Sequence, residues 1–152
     1  MTAHSHRSVR AATHKYIAKL LTLIIRYVRL TADRASQSGW IFSRVPLTAT
    51  NWEIEFEFKV KGKGNLYGDG FAMWLTKQRA QSGDVFGFID KFEGLGIFFD
   101  TYKNNRPGVT FPYVMAMMGD GQTSYEKGTD GKNNELAGCS VCIRKIIPAT
   151  AC

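Results

Sequence analysis

Residues 52–61 read WEIEFEFKVK, an almost uninterrupted alternation of apolar and charged side chains. Trp52 and every second residue after it fall on one face of a β-strand, and the glutamates and lysines fall on the other. A helix has a period of 3.6 residues and would scatter this pattern around its surface. The segment therefore predicts a strand with one buried and one solvated face.

Short apolar runs separated by turn residues continue on both sides of this strand. They predict further strands at residues 26–31, 71–75, 95–99, 114–118 and 139–143, with a hairpin turn at 119–121 and its partner strand at 122–125. Many short strands with no convincing helix after residue 26 are typical of an antiparallel β-sandwich. The predicted core faces consist of Trp52, Ile54, Phe56, Phe58, Val60, Phe71, Met73, Leu95, Ile97 and Phe99.

The charge of the chain is concentrated near its N-terminus. The 152 residues carry a net charge of +7, of which residues 1–34 contribute +6, with seven basic residues against one acid. The remainder is nearly neutral and shows no basic surface of the kind that binds nucleic acid. Residues 1–26 are therefore interpreted as an atypical basic extension, with neither a clear signal peptide nor a transmembrane segment.

Two acidic motifs stand at the ends of buried strands. Gly68-Asp69-Gly70 precedes the run at 71–75, and Asp100 to Asn104 follows the run at 95–99. A carboxylate at a strand end is held by a rigid scaffold and still reaches solvent. Asp100 and Asn104, with the Tyr102 carbonyl between them, offer the hard oxygen ligands that Ca²⁺ prefers.

Eight short motifs are spread over residues 27–144: YVRLT at 27–31, SRVP at 43–46, NWE at 51–53, GDG at 68–70, VFG at 85–87, FFDTY at 98–102, QTSY at 122–125 and ELAGC at 135–139. In these motifs and in their order the chain resembles the L-type lectins, in particular the mannose-binding cargo receptors of the early secretory pathway. The resemblance implies a legume-lectin-like (concanavalin-like) antiparallel β-sandwich. Because such a sandwich usually occupies about 200–250 residues, the expectation is a truncated, N-terminal part of the domain, followed by an unmatched tail at residues 145–152.

The resemblance also implies a function and its residues. Asp69, Asn104 and Ser36 would bind carbohydrate, and the Ca²⁺ ligands would be Asp100, Tyr102 through its carbonyl, Asn104 and Asp130. The implied partners are high-mannose N-glycans on glycoproteins carried between the endoplasmic reticulum, the intermediate compartment and the Golgi, by receptors that are usually membrane-anchored through a later segment. Lys127 departs from the family, which typically has histidine there, and this puts high-mannose affinity in question.

An enzymatic alternative rests on the solvated face of residues 52–61. Some glycosidases with a similar sandwich carry their acid and nucleophile as alternating carboxylates on one strand, and Glu53, Glu55 and Glu57 offer that spacing. The row continues as Lys59 and Lys61, which favours an ordinary solvated face carrying both signs of charge. The enzymatic interpretation is therefore the alternative, and the sequence favours a non-enzymatic protein.

Two further expectations follow from the resemblance. In the family, the cysteine matching Cys139 pairs with one farther along than this chain reaches, so Cys139 is expected to lack its disulfide partner. A sandwich without its later strands would also leave sheet edges and apolar faces uncovered. The chain is therefore expected to self-associate through exposed sheet edges.

Overall fold

The computed structural model describes residues 6–10, 28–62 and 68–143 of the chain. Within them the strands are β1 (His6–Arg10), β2 (Glu53–Glu57), β3 (Gly70–Thr76), β4 (Glu93–Asp100), β5 (Tyr113–Asp120) and β6 (Ala137–Ser140). Two short 3₁₀ turns, Lys127–Thr129 and Lys132–Asn134, lie between β5 and β6. In these residues no helix has the length and apolar character needed to cross a bilayer.

The strands form two antiparallel sheets. One pairs β1 with β2, and the other has the order β3-β4-β5-β6. The small sheet and the residue that follows it cover part of one face of the large sheet: the Phe56 ring of β2 lies 5.8 Å from Phe99, and the Phe58 ring just after β2 lies 4.7 Å from Phe71, centroid to centroid. The all-β, antiparallel fold predicted from the sequence is confirmed.

The most deeply buried core lies on the opposite face of the large sheet from the one predicted. Phe98, Met115 and Met117 are fully buried there, beneath Phe88 and Phe92 of the segment that connects β3 to β4. On the predicted face only Phe99 is buried, and the other apolar residues of β3 and β4 are half-buried. Trp52, also predicted to be core, is 46% exposed. The prediction was wrong because β4 is apolar on both faces, and the cover on one face comes from a loop.

The predicted hairpin after β5 is also wrong. The strand continues to Asp120, whose carboxylate then accepts hydrogen bonds from the backbone N–H groups of Gln122 (2.8 Å) and Thr123 (2.7 Å). These bonds turn the chain away from the sheet, so residues 122–125 form no strand. The partner of β5 is β6, in which Cys139 lies opposite Val114.

The N-terminal region and the cysteines differ from expectation as well. Residues 28–31 do not form the predicted first strand, and β1 instead pairs with β2 from within the predicted basic extension. Residues 11–27, which include the apolar segment of the extension, and the tail at 145–152 lie outside the described residues. Cys139 is disulfide-bonded, which contradicts its expected loss of a partner, and Cys142 is free and exposed.

Candidate functional site

The register of β3 and β4 joins the two acidic motifs. Gly70 lies opposite Asp100, and the Thr101 N–H donates to the carbonyl of Asp69 at 3.1 Å. Gly70 has a φ of +130°, and a Cβ built on it would lie 2.1 Å from the carbonyl oxygen of Phe99. Because only glycine allows this approach, the Gly68-Asp69-Gly70 turn closes directly onto the end of β4 and presents Asp69 to solvent beside Asp100.

The loop after β4 is joined to the loop between β5 and β6. The Asp100 carboxylate accepts a hydrogen bond from the Tyr102 N–H at 3.0 Å. Asn104 donates to the Asp130 carboxylate from its backbone N–H (3.0 Å to Oδ2) and from its side-chain Nδ2 (2.6 Å to Oδ1). Residues that are 26 positions apart in sequence thus meet in one hydrogen-bonded group. The structure brings Asp69, Asp100, Asn104 and Asp130 to one end of the large sheet.

A buried arginine that the sequence analysis missed supports this group. Arg106 is 5% exposed, and its Nη1 donates to the Asp130 carbonyl at 3.1 Å while its Nη2 forms an ion pair with Glu135. The guanidinium also lies over the Tyr113 ring, 4.5 Å from its centroid. In the sequence, Arg106 stands in a polar loop just before Pro107 and Gly108, where an arginine is ordinarily solvated. No signal in a single sequence distinguishes it.

The electrostatics of the site are dominated by buried negative charge. Asp100 and Asp130 are only 5% and 2% exposed. The pKa of Asp100 is raised to about 7, chiefly by burial; the charges of Asp130 and Asp69 act in the same direction, and the hydrogen bond from Tyr102 and the charge of Arg106 act against them. The pKa of the adjacent Tyr125 is raised as well, by burial first and then by the Asp100 and Asp130 charges. The site therefore favours a bound cation.

The donor set fits calcium. Asp100, Asp130 and Asn104 supply carboxylate and amide oxygens, which are hard ligands, and no sulfur or imidazole takes part. Across the described ranges, no three or more His, Cys, Asp or Glu side chains gather as a metal cluster. A calcium ion here would therefore depend on amide and peptide oxygens in addition to the two carboxylates. The Tyr102 side chain is exposed, which leaves its backbone as the part that could contribute.

Two other residues singled out in the sequence, Ser36 and Lys127, are both exposed. Ser36 has a left-handed φ of +56°, and in the described part of the chain no contact joins it to the acidic group. Lys127 directs its Nζ to the Asp84 carboxylate at 3.0 Å. Both partners of this ion pair are well exposed, so the pair contributes little stability and Lys127 can rearrange toward a ligand.

The glutamate row of the enzymatic alternative lies on the exposed face of β2. Glu53, Glu55 and Glu57 alternate with half-buried Ile54 and Phe56. In the register of the small sheet their cross-strand partners are Arg10, Ser8 and His6 respectively. The structure thus confirms a solvated face, with basic residues opposite two of the three glutamates.

Comparison with known proteins finds matches within one family. Residues 16–149 match the legume-like lectin family. The chain is 50% identical over 112 residues to an L-type lectin-like domain-containing protein of Schizosaccharomyces pombe, covering 73% of this chain and 36% of that protein. It is 45% identical over 125 residues to the mouse vesicular integral-membrane protein VIP36, covering 80% of this chain and 35% of that protein. The chain thus spans little more than a third of the length of these relatives.

A solved structure shows the same fold. The exoplasmic/lumenal domain of VIP36, crystallised with Ca²⁺ and mannose, superposes with a TM-score of 0.73 at 38% sequence identity. The match covers 94% of this chain and 55% of that one. The strands described above therefore correspond to part of a larger sandwich.

Proposed function

Because the chain belongs to the legume-like lectin family, we propose that it binds high-mannose N-glycans of glycoproteins in a calcium-dependent manner. The observation that carries the proposal is the convergence of Asp69, Asp100, Asn104 and Asp130 at one end of the large sheet. The family consists of carbohydrate-binding, non-enzymatic proteins, so the glycosidase alternative at Glu53 and Glu57 is set aside.

Each residue of the site has a role in this proposal. Asp100, the Tyr102 carbonyl, Asn104 and Asp130 hold the ion, and Ca²⁺ when bound neutralises the buried carboxylates and fixes the loop after β4. Asp69 is exposed at the edge of that loop, where an ionised carboxylate can accept hydrogen bonds from two sugar hydroxyls. Asn104 presents its amide to the same sugar, and the resemblance to the lectins adds Ser36 as a further polar contact.

The names of the relatives support a proposed cellular role. One is named as a vesicular integral-membrane protein, and a lumenal domain of that protein has been crystallised with calcium and mannose. By extension, this chain recognises the glycans of cargo glycoproteins moving between the endoplasmic reticulum, the intermediate compartment and the Golgi. We also predict that the chain self-associates through exposed sheet edges.

The direct test is glycan-array binding with and without a calcium chelator. Binding to high-mannose glycans should require calcium and should be lost in Asp69→Asn, which removes the charge and leaves the size of the side chain unchanged. Asp120→Asn is a matched control, because Asp120 is exposed at the opposite end of the sheet, where it pairs across from Glu93. Binding that survives the chelator or Asp69→Asn would refute the proposal.

A further inference from the structure

We infer that Arg106 is a positioning residue for the calcium site, acting through the backbone of Asp130 and held in place by Glu135. The inference rests on the proposed function, since it concerns how the chain prepares that site. Nη1 of Arg106 donates to the Asp130 carbonyl at 3.1 Å, and Nη2 pairs with the Glu135 carboxylate. The planar guanidinium makes both contacts at once, which a single ammonium group cannot reproduce.

The surroundings of Arg106 hold it rigidly. Its guanidinium lies over the Tyr113 ring, and the Tyr113 hydroxyl donates to Glu135 Oε1 at 3.0 Å. The same Nη1 also lies 3.7 Å from the Met115 sulfur. The buried guanidinium is thus held by protein groups from both β5 and the loop between β5 and β6. The arginine therefore connects strand β5 to the two loops of the site.

Asp130 needs such support. Its φ is +52° and its ψ +42°, a left-handed conformation that is unfavourable for a residue with a Cβ. Gly131 follows in the same region, with a φ of +67°, so the turn carries two consecutive left-handed residues. The hydrogen bond from Arg106 fixes the carbonyl side of Asp130. The carboxylate on the same residue then faces Asn104, to which it is bonded through two donors.

A direct role in sugar binding does not fit Arg106. The residue is 5% exposed, and its donors are directed at Glu135, Asp130 and Met115. It would act on a ligand only through Asp130. Loss of Arg106 should therefore weaken calcium binding but leave sugar binding unchanged once calcium is saturating.

The test compares Arg106→Lys with the parent chain in calcium titrations and in terbium luminescence, with Tb³⁺ as a calcium substitute. Lysine keeps the charge but cannot bridge Asp130 and Glu135, so calcium affinity should fall by about 10–100-fold, as is usual when a residue supporting a metal ligand is lost. The terbium lifetime should shorten, because water replaces a displaced carboxylate. High-mannose affinity at saturating calcium should remain near that of the parent.

Two further variants sharpen the result. Glu135→Gln keeps an oxygen acceptor for the Tyr113 hydroxyl and removes the counter-charge that holds Arg106. It should therefore lower calcium affinity and shorten the terbium lifetime, as Arg106→Lys does. It also decides the inference if Arg106→Lys fails to fold. Arg79→Lys is the matched control, because Arg79 is exposed and its Nε donates to the Ser43 carbonyl at 2.7 Å, away from the acidic group. It should leave both readouts unchanged.

The outcomes separate the inference from the proposed function. If the parent chain binds neither calcium nor terbium, the proposed function and the inference both fall. If the parent binds calcium and Arg106→Lys matches it in affinity and lifetime, only the positioning role is overturned. A loss of sugar affinity at saturating calcium as large as the loss of calcium affinity would also overturn it, since Arg106 would then act on the sugar contacts themselves.

Discussion

Replacing Asp100 by asparagine should change stability in opposite directions with and without calcium. In the metal-free protein the pKa of Asp100 is raised from 3.8 to about 7, chiefly by burial. Folding therefore disfavours the ionised carboxylate: the cost is absent below about pH 3.8, grows as the pH rises, and is complete above about pH 7. Asparagine has no proton to lose and keeps an oxygen that can accept the Tyr102 N–H.

The size of the effect can be bounded. A change in pKa from 3.8 to about 7 corresponds to a ceiling of about 4 kcal/mol. Residual access of water reduces it, so Asp100→Asn should gain about 1–2 kcal/mol at pH 8 in chelator and nothing at pH 4. With calcium the sign reverses, because the parent gains about 2.7 kcal/mol at a calcium concentration 100 times its dissociation constant, and the variant loses most of this.

The assay is urea denaturation followed by tryptophan fluorescence, at pH 4 and pH 8, in chelator and in calcium. Asp120→Asn is the control with the opposite sign: backbone N–H groups of Thr123 and Gln122 lower the pKa of Asp120 to about 2. Its stabilisation is present above about pH 3.8 and lost as the pH falls through 2, so the control should destabilise at pH 8 regardless of calcium. An Asp100→Asn variant less stable than the parent at pH 8 in chelator would refute the reasoning.

Three other predictions concern single positions. Lys127→His should tighten mannose binding several-fold at most, since one net hydrogen bond is worth about 0.5–1.5 kcal/mol; unchanged affinity by calorimetry would mean that residue 127 does not contact the sugar. Gly70→Ala should lower the free energy of unfolding by at least about 1–3 kcal/mol, because its Cβ would meet the Phe99 carbonyl oxygen. The control Gly108→Ala, at a φ of +84° with nothing within 4 Å of the added Cβ, should lower it less in the same urea titration. Met118 is apolar and 60% exposed on the half-covered face of β5, so it should promote self-association, and Met118→Glu should lower the mass measured by light scattering. An unchanged mass would show that self-association does not depend on Met118.

Local patterning was sufficient for the positions of most strands. The alternation at 52–61 and the short apolar runs predict β2, β3, β4 and β5 to within a few residues, because side-chain period is a property of the chain itself. The same holds for the acids at strand ends, since Asp69 and Asp100 are adjacent to those runs in sequence. The oxygen ligands of Asp100 and Asn104 already indicated Ca²⁺, whereas a sugar ligand could be expected only from the resemblance to the lectins.

The tertiary structure decided which face of the large sheet became the core and what completes the site. Leu95 to Phe99 is apolar on both faces, so the sequence cannot say which face the loop bearing Phe88 and Phe92 will cover. Asp130 meets Asn104, and Arg106 becomes buried against Glu135, only because antiparallel pairing of β4, β5 and β6 brings distant loops to one end of the sheet. Local propensity describes neighbours along the chain, whereas burial and charge pairing depend on neighbours in space.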